Sequence, residues 1–276
     1  MEHEIFPNDF TEGFYAKLKY NTSYPDLFNW FNALSKANNH NFKILINNND
    51  VYIQNKELKE LKEYNNTKKS TSDFDETAKS IQETINGILK YSMDFSKECH
   101  ENETFDEDIL ISIEKILKID KNNKDIFDYL LDNTDNSEPK PKSIIMIPPE
   151  NISINAVIHK KIYRDLNSDK AIQFIEKMAI DNNLNLIAYW RSQRHEDIFA
   201  SGYKIYDLCQ LSKYKKTNIN IDKFCCTANN LELSGKNSRH GKSNSNIPKE
   251  KKISMDEAEI ITNEMIDIYL NEKNSK

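Results

Sequence analysis

Apolar residues recur at three- and four-residue steps along most of the chain and alternate at two-residue steps only in short stretches. Pro25 and Asp26 open a helix whose apolar face is Leu27, Trp30, Phe31 and Leu34. Two apolar runs, Phe42-Lys43-Ile44-Leu45-Ile46 and Val51-Tyr52-Ile53-Gln54, flank Asn47-Asn48-Asn49-Asp50. Asn and Asp tolerate the left-handed turn conformation, so the pair predicts a β-hairpin. Positions 56–72 are rich in Lys, Glu and Asn and read as a solvated helix followed by a loop. A long helix follows, with Phe74, Ala78, Ile81, Ile85, Ile88, Leu89 and Phe95 on one face. Asp73 is its expected cap, with Glu76 reaching back. Thr104-Phe105-Asp106-Glu107 has the form of a capping box and predicts a helix carrying Ile109, Leu110, Ile113, Ile116 and Leu117. Ile126, Phe127, Leu130 and Leu131 predict another, shorter one. The first 24 residues show no clear period.

The stretch 132–142 is polar, holds two prolines and can bury nothing, so it reads as a linker. Its core at 136–142 divides the chain into an N-terminal unit at 1–135, with hairpin and helices, and a helical unit at 143–276. Ser143-Ile144-Ile145-Met146-Ile147 reads as a strand stopped by Pro148-Pro149, and 152–163 suits either strand or helix. Helical spacing returns at Ser168 with Ala171, Ile172, Ile175, Met178 and Ala179, and Asn182-Asn183 breaks it. The stretch 184–211 reads as a long helix that Gly202 could kink, 214–230 as irregular, and 229–247 as a polar connector. Ser254-Met255-Asp256-Glu257 opens a last amphipathic helix over 255–270. The expected fold class is mainly α, of the α+β type, with a C-terminal helical bundle.

With 5 Gly and 7 Pro in 276 residues, an all-β sandwich or barrel is disfavoured, because such folds need many tight turns. The 13 Tyr and 13 Phe supply core material. Trp30 and Phe31 could form a base-stacking platform, but a packed helix face is the simpler account. The net charge of -6 argues against a general DNA coat and leaves room only for local basic patches, around 213–216 and 236–252. Cys99, Cys209, Cys225 and Cys226 make no C-x-x-C pair and read as reduced thiols; no metal and no cofactor are expected. No apolar run reaches membrane-spanning length and no signal peptide is recognisable, so a cytoplasmic protein with no membrane partner is expected.

Gly-rich phosphate loops, H-E-x-x-H and G-x-S-x-G are absent from the sequence. Two clusters remain, drawn from a scarce set of arginines: Arg164, Arg191, Arg194 and Arg239. In the first, Arg191 and His195 stand four apart, hence on one face of the predicted long helix. An imidazole beside a fixed cation suits proton transfer on RNA; an ion-paired helix face is the alternative. The second is Lys236-Asn237-Ser238-Arg239-His240-Gly241-Lys242. Lys236, Asn237, Arg239 and Lys242 could hold an anion, or Arg239 and His240 could tie the last helix to its neighbour.

The helix Leu-x-x-Tyr-Trp-Arg-Ser-x-x-x-Glu-Asp-x-Phe, the following Tyr-Lys-Ile-Tyr-Asp-Leu, the Asn-Ser-Arg-His-Gly run and the Met-Asp-Glu-Ala-Glu helix resemble HEPN-like helical domains of uncharacterised prokaryotic proteins. The resemblance covers about residues 168–270. It implies a helical bundle, membership of a stress or phage-defence system, and a possible homodimer. It also implies a partner that is RNA or a protein of a defence or toxin–antitoxin complex. Catalytic members carry an Arg, four to six residues, then a His. Here three residues separate Arg191 from His195 and none separates Arg239 from His240. A non-catalytic or regulatory role is therefore expected first. The alternative is a metal-independent ribonuclease using Arg191, His195, Arg239 and His240.

Overall fold

The structure is a computed structural model that describes residues 6–7, 9–20, 25–63, 71–94, 111–122, 125–130, 165–230, 234 and 252–274. Its class is α+β. Five antiparallel strands form one sheet in the order β2-β3-β1-β4-β5: β1 Gly13–Lys19, β2 Phe42–Asn47, β3 Asp50–Asn55, β4 Ser112–Ile119 and β5 Asp125–Leu130. The helices described are α1 Pro25–Leu34, α2 Lys56–Glu63, α3 Thr71–Ser92, α4 Ser168–Met178, α5 Asn183–Arg191, α6 Ile198–Leu208, α7 Ile219–Ala228 and α8 Met255–Asn274.

The hairpin forms as predicted. Asn48 and Asn49 sit at φ +49° and +72°, the left-handed conformation that a two-residue turn between twisted strands demands. The missed strand is β1. Phe14, Ala16 and Leu18 face the main core, whereas Tyr15 points to the opposite side, where Phe6, Phe10, Tyr52, Leu117 and Ile119 form a second cluster. A strand buried on both faces loses the polar alternation that marks a strand in sequence.

Two predicted helices are strands instead. Ile113, Ile116 and Leu117 belong to β4, and Ile126, Phe127 and Leu130 to β5. The register of β4 against β1 runs Lys17↔Lys115 and then Leu18↔Ile113, so one β4 residue is extra at Glu114. That bulge turns a two-residue period into a three-residue one and places Ile113 and Ile116 on the same core, which mimics helical spacing. The proposed capping box at 104–107 lies outside the described residues, as do the linker at 136–142, the strand at 143–147 and the ambiguous 152–163.

Helix α3 starts at Thr71, which puts Asp73 within its first turn rather than at the cap. It carries the centre of the molecule. Ile81, Ile85 and Ile88 pack in one continuous core with β1 and β4 residues on one side and with Phe174, Ile187 and Ala188 of α4 and α5 on the other. The segments on either side of the expected linker therefore share a core. Gly87 is where α3 meets α5: a Cβ there would lie 1.9 Å from the Ala188 carbonyl oxygen. Trp30 and Phe31 are buried, as a packed helix face requires.

The helix expected over 184–211 is two helices. Helix α5 stops at Arg191, and α6 begins at Ile198 after a 3-10 turn at His195–Asp197. Ser192 Oγ and Gln193 Nε2 both donate to the Tyr189 carbonyl, competing with helical continuation. The buried Lys90 ammonium donates to the freed carbonyls of Ser192 and Gln193. Gly202 does not kink α6; it allows contact, since a Cβ would lie 2.7 Å from both Phe224 Cζ and Thr262 Oγ1. The region read as irregular contains α7, capped by Asn218, whose side chain accepts from the Asn220 and Ile221 amides. Helix α8 opens at Ser254-Met255-Asp256-Glu257 as expected, and its start is a reciprocal cap: Ser254 N donates to Glu257 Oε2 at 2.7 Å, and Glu257 N to Ser254 Oγ at 3.1 Å.

Candidate functional site

Three elements meet around Glu259 of α8: the last turn of α3, the end of α5 and the turn that follows it. Glu259 is 2% exposed. Its Oε2 forms an ion pair with Arg191 Nη1 at 2.5 Å, and its Oε1 accepts from His195 Nδ1 at 3.0 Å. Arg191 is itself buried; its Nε donates to Asn263 Oδ1 at 2.8 Å and its Nη2 to the Lys90 carbonyl at 3.3 Å. Asn263 Nδ2 donates in turn to the carbonyls of Lys90 and Tyr91. The guanidinium is thus held between α3 and α8.

Burial pushes the Glu259 carboxyl up, but Arg191, the His195 hydrogen bond and Lys90 together outweigh it and hold the group below the usual carboxylate range. Glu259 is therefore ionised, and Nδ1 of His195 is the nitrogen that carries the hydrogen. The other ring nitrogen, Nε2, faces Asp256 Oδ1 at 3.6 Å, and Asp256 is exposed. A buried carboxylate that fixes one imidazole nitrogen, with the other facing an exposed carboxylate, can support proton transfer. Two of the expected catalytic residues are thus brought together, but through a shared carboxylate and not on one helical face, because α5 ends between them. Arg191 faces the interior, where no phosphate can reach it without opening the α5–α8 contact.

Lys236, Asn237, Arg239, His240 and Lys242 lie outside the described residues, and so does their expected convergence with His195. Lys90, Glu259 and Asn263 were missed in the sequence. A signal for two of them is present: Glu259 and Asn263 are four apart, on the helix that also buries Ala258, Ile261, Met265 and Ile266. A charge buried there must find a partner.

A cleft of about 570 Å³ opens beside this network and is lined by Met93, Asp94, Asp165, Lys170, Asn263 and Asp267, among others. Asp267 accepts from Tyr91 Oη at 2.5 Å and from Lys170 Nζ at 2.7 Å, so its charges are largely engaged in joining α3, α4 and α8. Burial, followed by the neighbouring Asp267, pushes the Tyr91 hydroxyl well above its ordinary value. Among the described residues, no group of three or more His, Cys, Asp or Glu side chains is placed to hold a metal ion. The thiols of Cys209 and Cys225 are pushed up by burial, to about 12 and about 11, which makes them poor nucleophiles. Among the described residues, no helix is long and apolar enough to cross a membrane. No protein-family model, curated protein or solved structure matches the chain.

Proposed function

We propose that the chain is a non-catalytic or regulatory protein that binds a protein partner. Its C-terminal helices form a HEPN-like bundle, and it acts in a prokaryotic stress or phage-defence system. The bundle and the system rest on the resemblance over 168–270. The observation that carries the non-catalytic part is Arg191. A phosphate-binding arginine must turn its guanidinium N–H groups to the phosphate, whereas those of Arg191 are engaged by Glu259, Asn263 and the Lys90 carbonyl.

The second reading, a metal-independent ribonuclease, is favoured by one observation. His195 is partly exposed, with Nδ1 anchored on a buried carboxylate. The two separate in one assay. Intact protein is incubated with total RNA in EDTA, beside a His195→Ala/His240→Ala variant. The expected result is no cleavage by either. Cleavage by the parent alone would establish the ribonuclease, and a salt-dependent shift of labelled RNA without cleavage would replace the protein partner by a nucleic acid.

A further inference from the structure

The local basic patch expected around 213–216 is at the surface, and the start of α7 completes it. After a 3-10 turn at Leu211–Tyr214 the chain passes through Lys215, Lys216 and Thr217, all exposed, to Asn218, the cap of α7. Lys215, Lys216, Thr217, Ile219 and Asp222 line one open depression of about 570 Å³. Ile219, Asp222 and Lys223 stand at helical steps of three and four, so Lys223 shares that face of α7. Ile219 is 70% exposed. A lone exposed isoleucine signifies little; this one sits in a depression with cations around it.

These cations are not used up within the described chain. Lys213 is paired with Glu272 at 2.7 Å, but Lys215, Lys216 and Lys223 make no ion pair among the described residues. One carboxylate lines the depression, that of Asp222, which is half-buried and accepts from the Cys226 thiol at 3.9 Å. Three lysines against one aspartate leave a local surplus of positive charge on a chain whose net charge is -6. The positive end of the α7 dipole adds to it. Such a surface attracts opposite charge from outside.

Ile219 selects among anions. Nucleic acid is recognised through arginine forks and stacked aromatic rings. Here the cations are lysines, and the neighbouring Tyr214 is half-buried with its hydroxyl donated to Glu272. A continuous phosphate backbone would also have to pass Asp222, and it would leave the isoleucine bare. Stable anchoring on an anionic membrane needs more than one isoleucine and a few lysines. An apolar centre with a charged rim is the anatomy of a protein interface. Carboxylates set around one apolar side chain match it in both respects.

We infer that this depression docks an acidic segment of a partner protein, with carboxylates on Lys215, Lys216 and Lys223 and an apolar side chain on Ile219. The inference deepens the protein-binding reading above and rests on it.

The probe is a fluorophore-labelled, terminally blocked octapeptide of Asp, Glu and Ser carrying a single Leu, titrated with the intact chain and read by anisotropy. The expected result is saturable binding that falls with added salt and is weakened about tenfold or more by Lys215→Glu/Lys216→Glu. Ile219→Ser, or Ser for Leu in the peptide, should each weaken it about threefold or more. Lys36→Glu, at an exposed lysine beyond α1, should bind as the parent does. Circular dichroism verifies the folding of each variant. Lack of saturable binding by the parent, or undiminished binding by the folded double-lysine variant, overturns the inference. An equal loss in Lys36→Glu overturns it too, since the effect would then be one of net charge. Undiminished binding after both serine changes overturns the apolar contact. RNA or phosphatidylserine vesicles bound through the same lysines, with the peptide unbound, would replace the partner protein by nucleic acid or a membrane. A dimer in sedimentation that the double-lysine variant loses would replace it by a second copy of the chain. A peptide that fails while RNA is neither shifted nor cleaved removes this inference alone; RNA shifted or cleaved removes the reading beneath it.

Discussion

Glu259 is the residue on which the C-terminal half turns. Removing its charge strands Arg191, which is buried and has no solvent to replace the lost anion. Glu259→Gln is therefore expected to cost about 3–5 kcal/mol of unfolding free energy, measured by urea denaturation. A loss under about 1 kcal/mol would mean that the pair is not formed. The pH dependence follows from the direction of the shift. The folded carboxyl is held below its ordinary value of 4.5, so its contribution is complete above that value and is lost as pH falls through the lower, folded one. In an acid titration of stability, the parent should lose this contribution below about pH 4.5, and Glu259→Gln should lack that component. His195 was legible in the sequence as a group of interest, but its partner was not: nothing local links position 195 to position 259.

At the scale of elements, the spacing that misled was produced by sheet geometry. A single extra residue at Glu114 brings Ile113 and Ile116 to one face, and a strand with a bulge then carries a helical signature. The α5–α6 break is the opposite case, in which a plausible continuous helix is interrupted by Ser192, Gln193 and the distant Lys90. Gly87 illustrates a cost that local propensity misstates. Inside an isolated helix, Gly to Ala is favourable by up to about 1 kcal/mol. Here the new methyl group would meet the Ala188 carbonyl, and α3 and α5 would have to separate. Gly87→Ala is expected to lower stability by about 1–3 kcal/mol, read from thermal or denaturant melts. A stabilised variant would show that the two helices are not in contact there.

For the whole molecule, the core cluster runs from Phe14 in β1 through α3 to Leu270 in α8 without a gap. Tyr91 of α3, Lys170 of α4 and Asp267 of α8 form one linked set, so hydrogen bonds cross the same boundary. Unfolding should be cooperative across the polar stretch at 132–142. Calorimetry is expected to show one transition, with calorimetric and van't Hoff enthalpies in agreement. Two resolved transitions would instead divide the chain there into independent units.

What the sequence determined by itself is what depends on neighbours a few residues apart. The Asn48-Asn49 turn, the face of α1 and the reciprocal cap of α8 rest on short-range geometry and are present, and of the α4 stripe Ala171, Ile175 and Met178 are buried while Ala179 is exposed beyond the end of α4. Tertiary structure alone decided that 112–119 pairs with β1, that α5 stops at Arg191, and that Arg191 turns inward to a carboxylate 68 positions further along the chain (259 minus 191). The physical reason is the same in each. A backbone or side-chain charge takes whichever partner offers the better hydrogen bond once water is excluded, and that partner is set by packing.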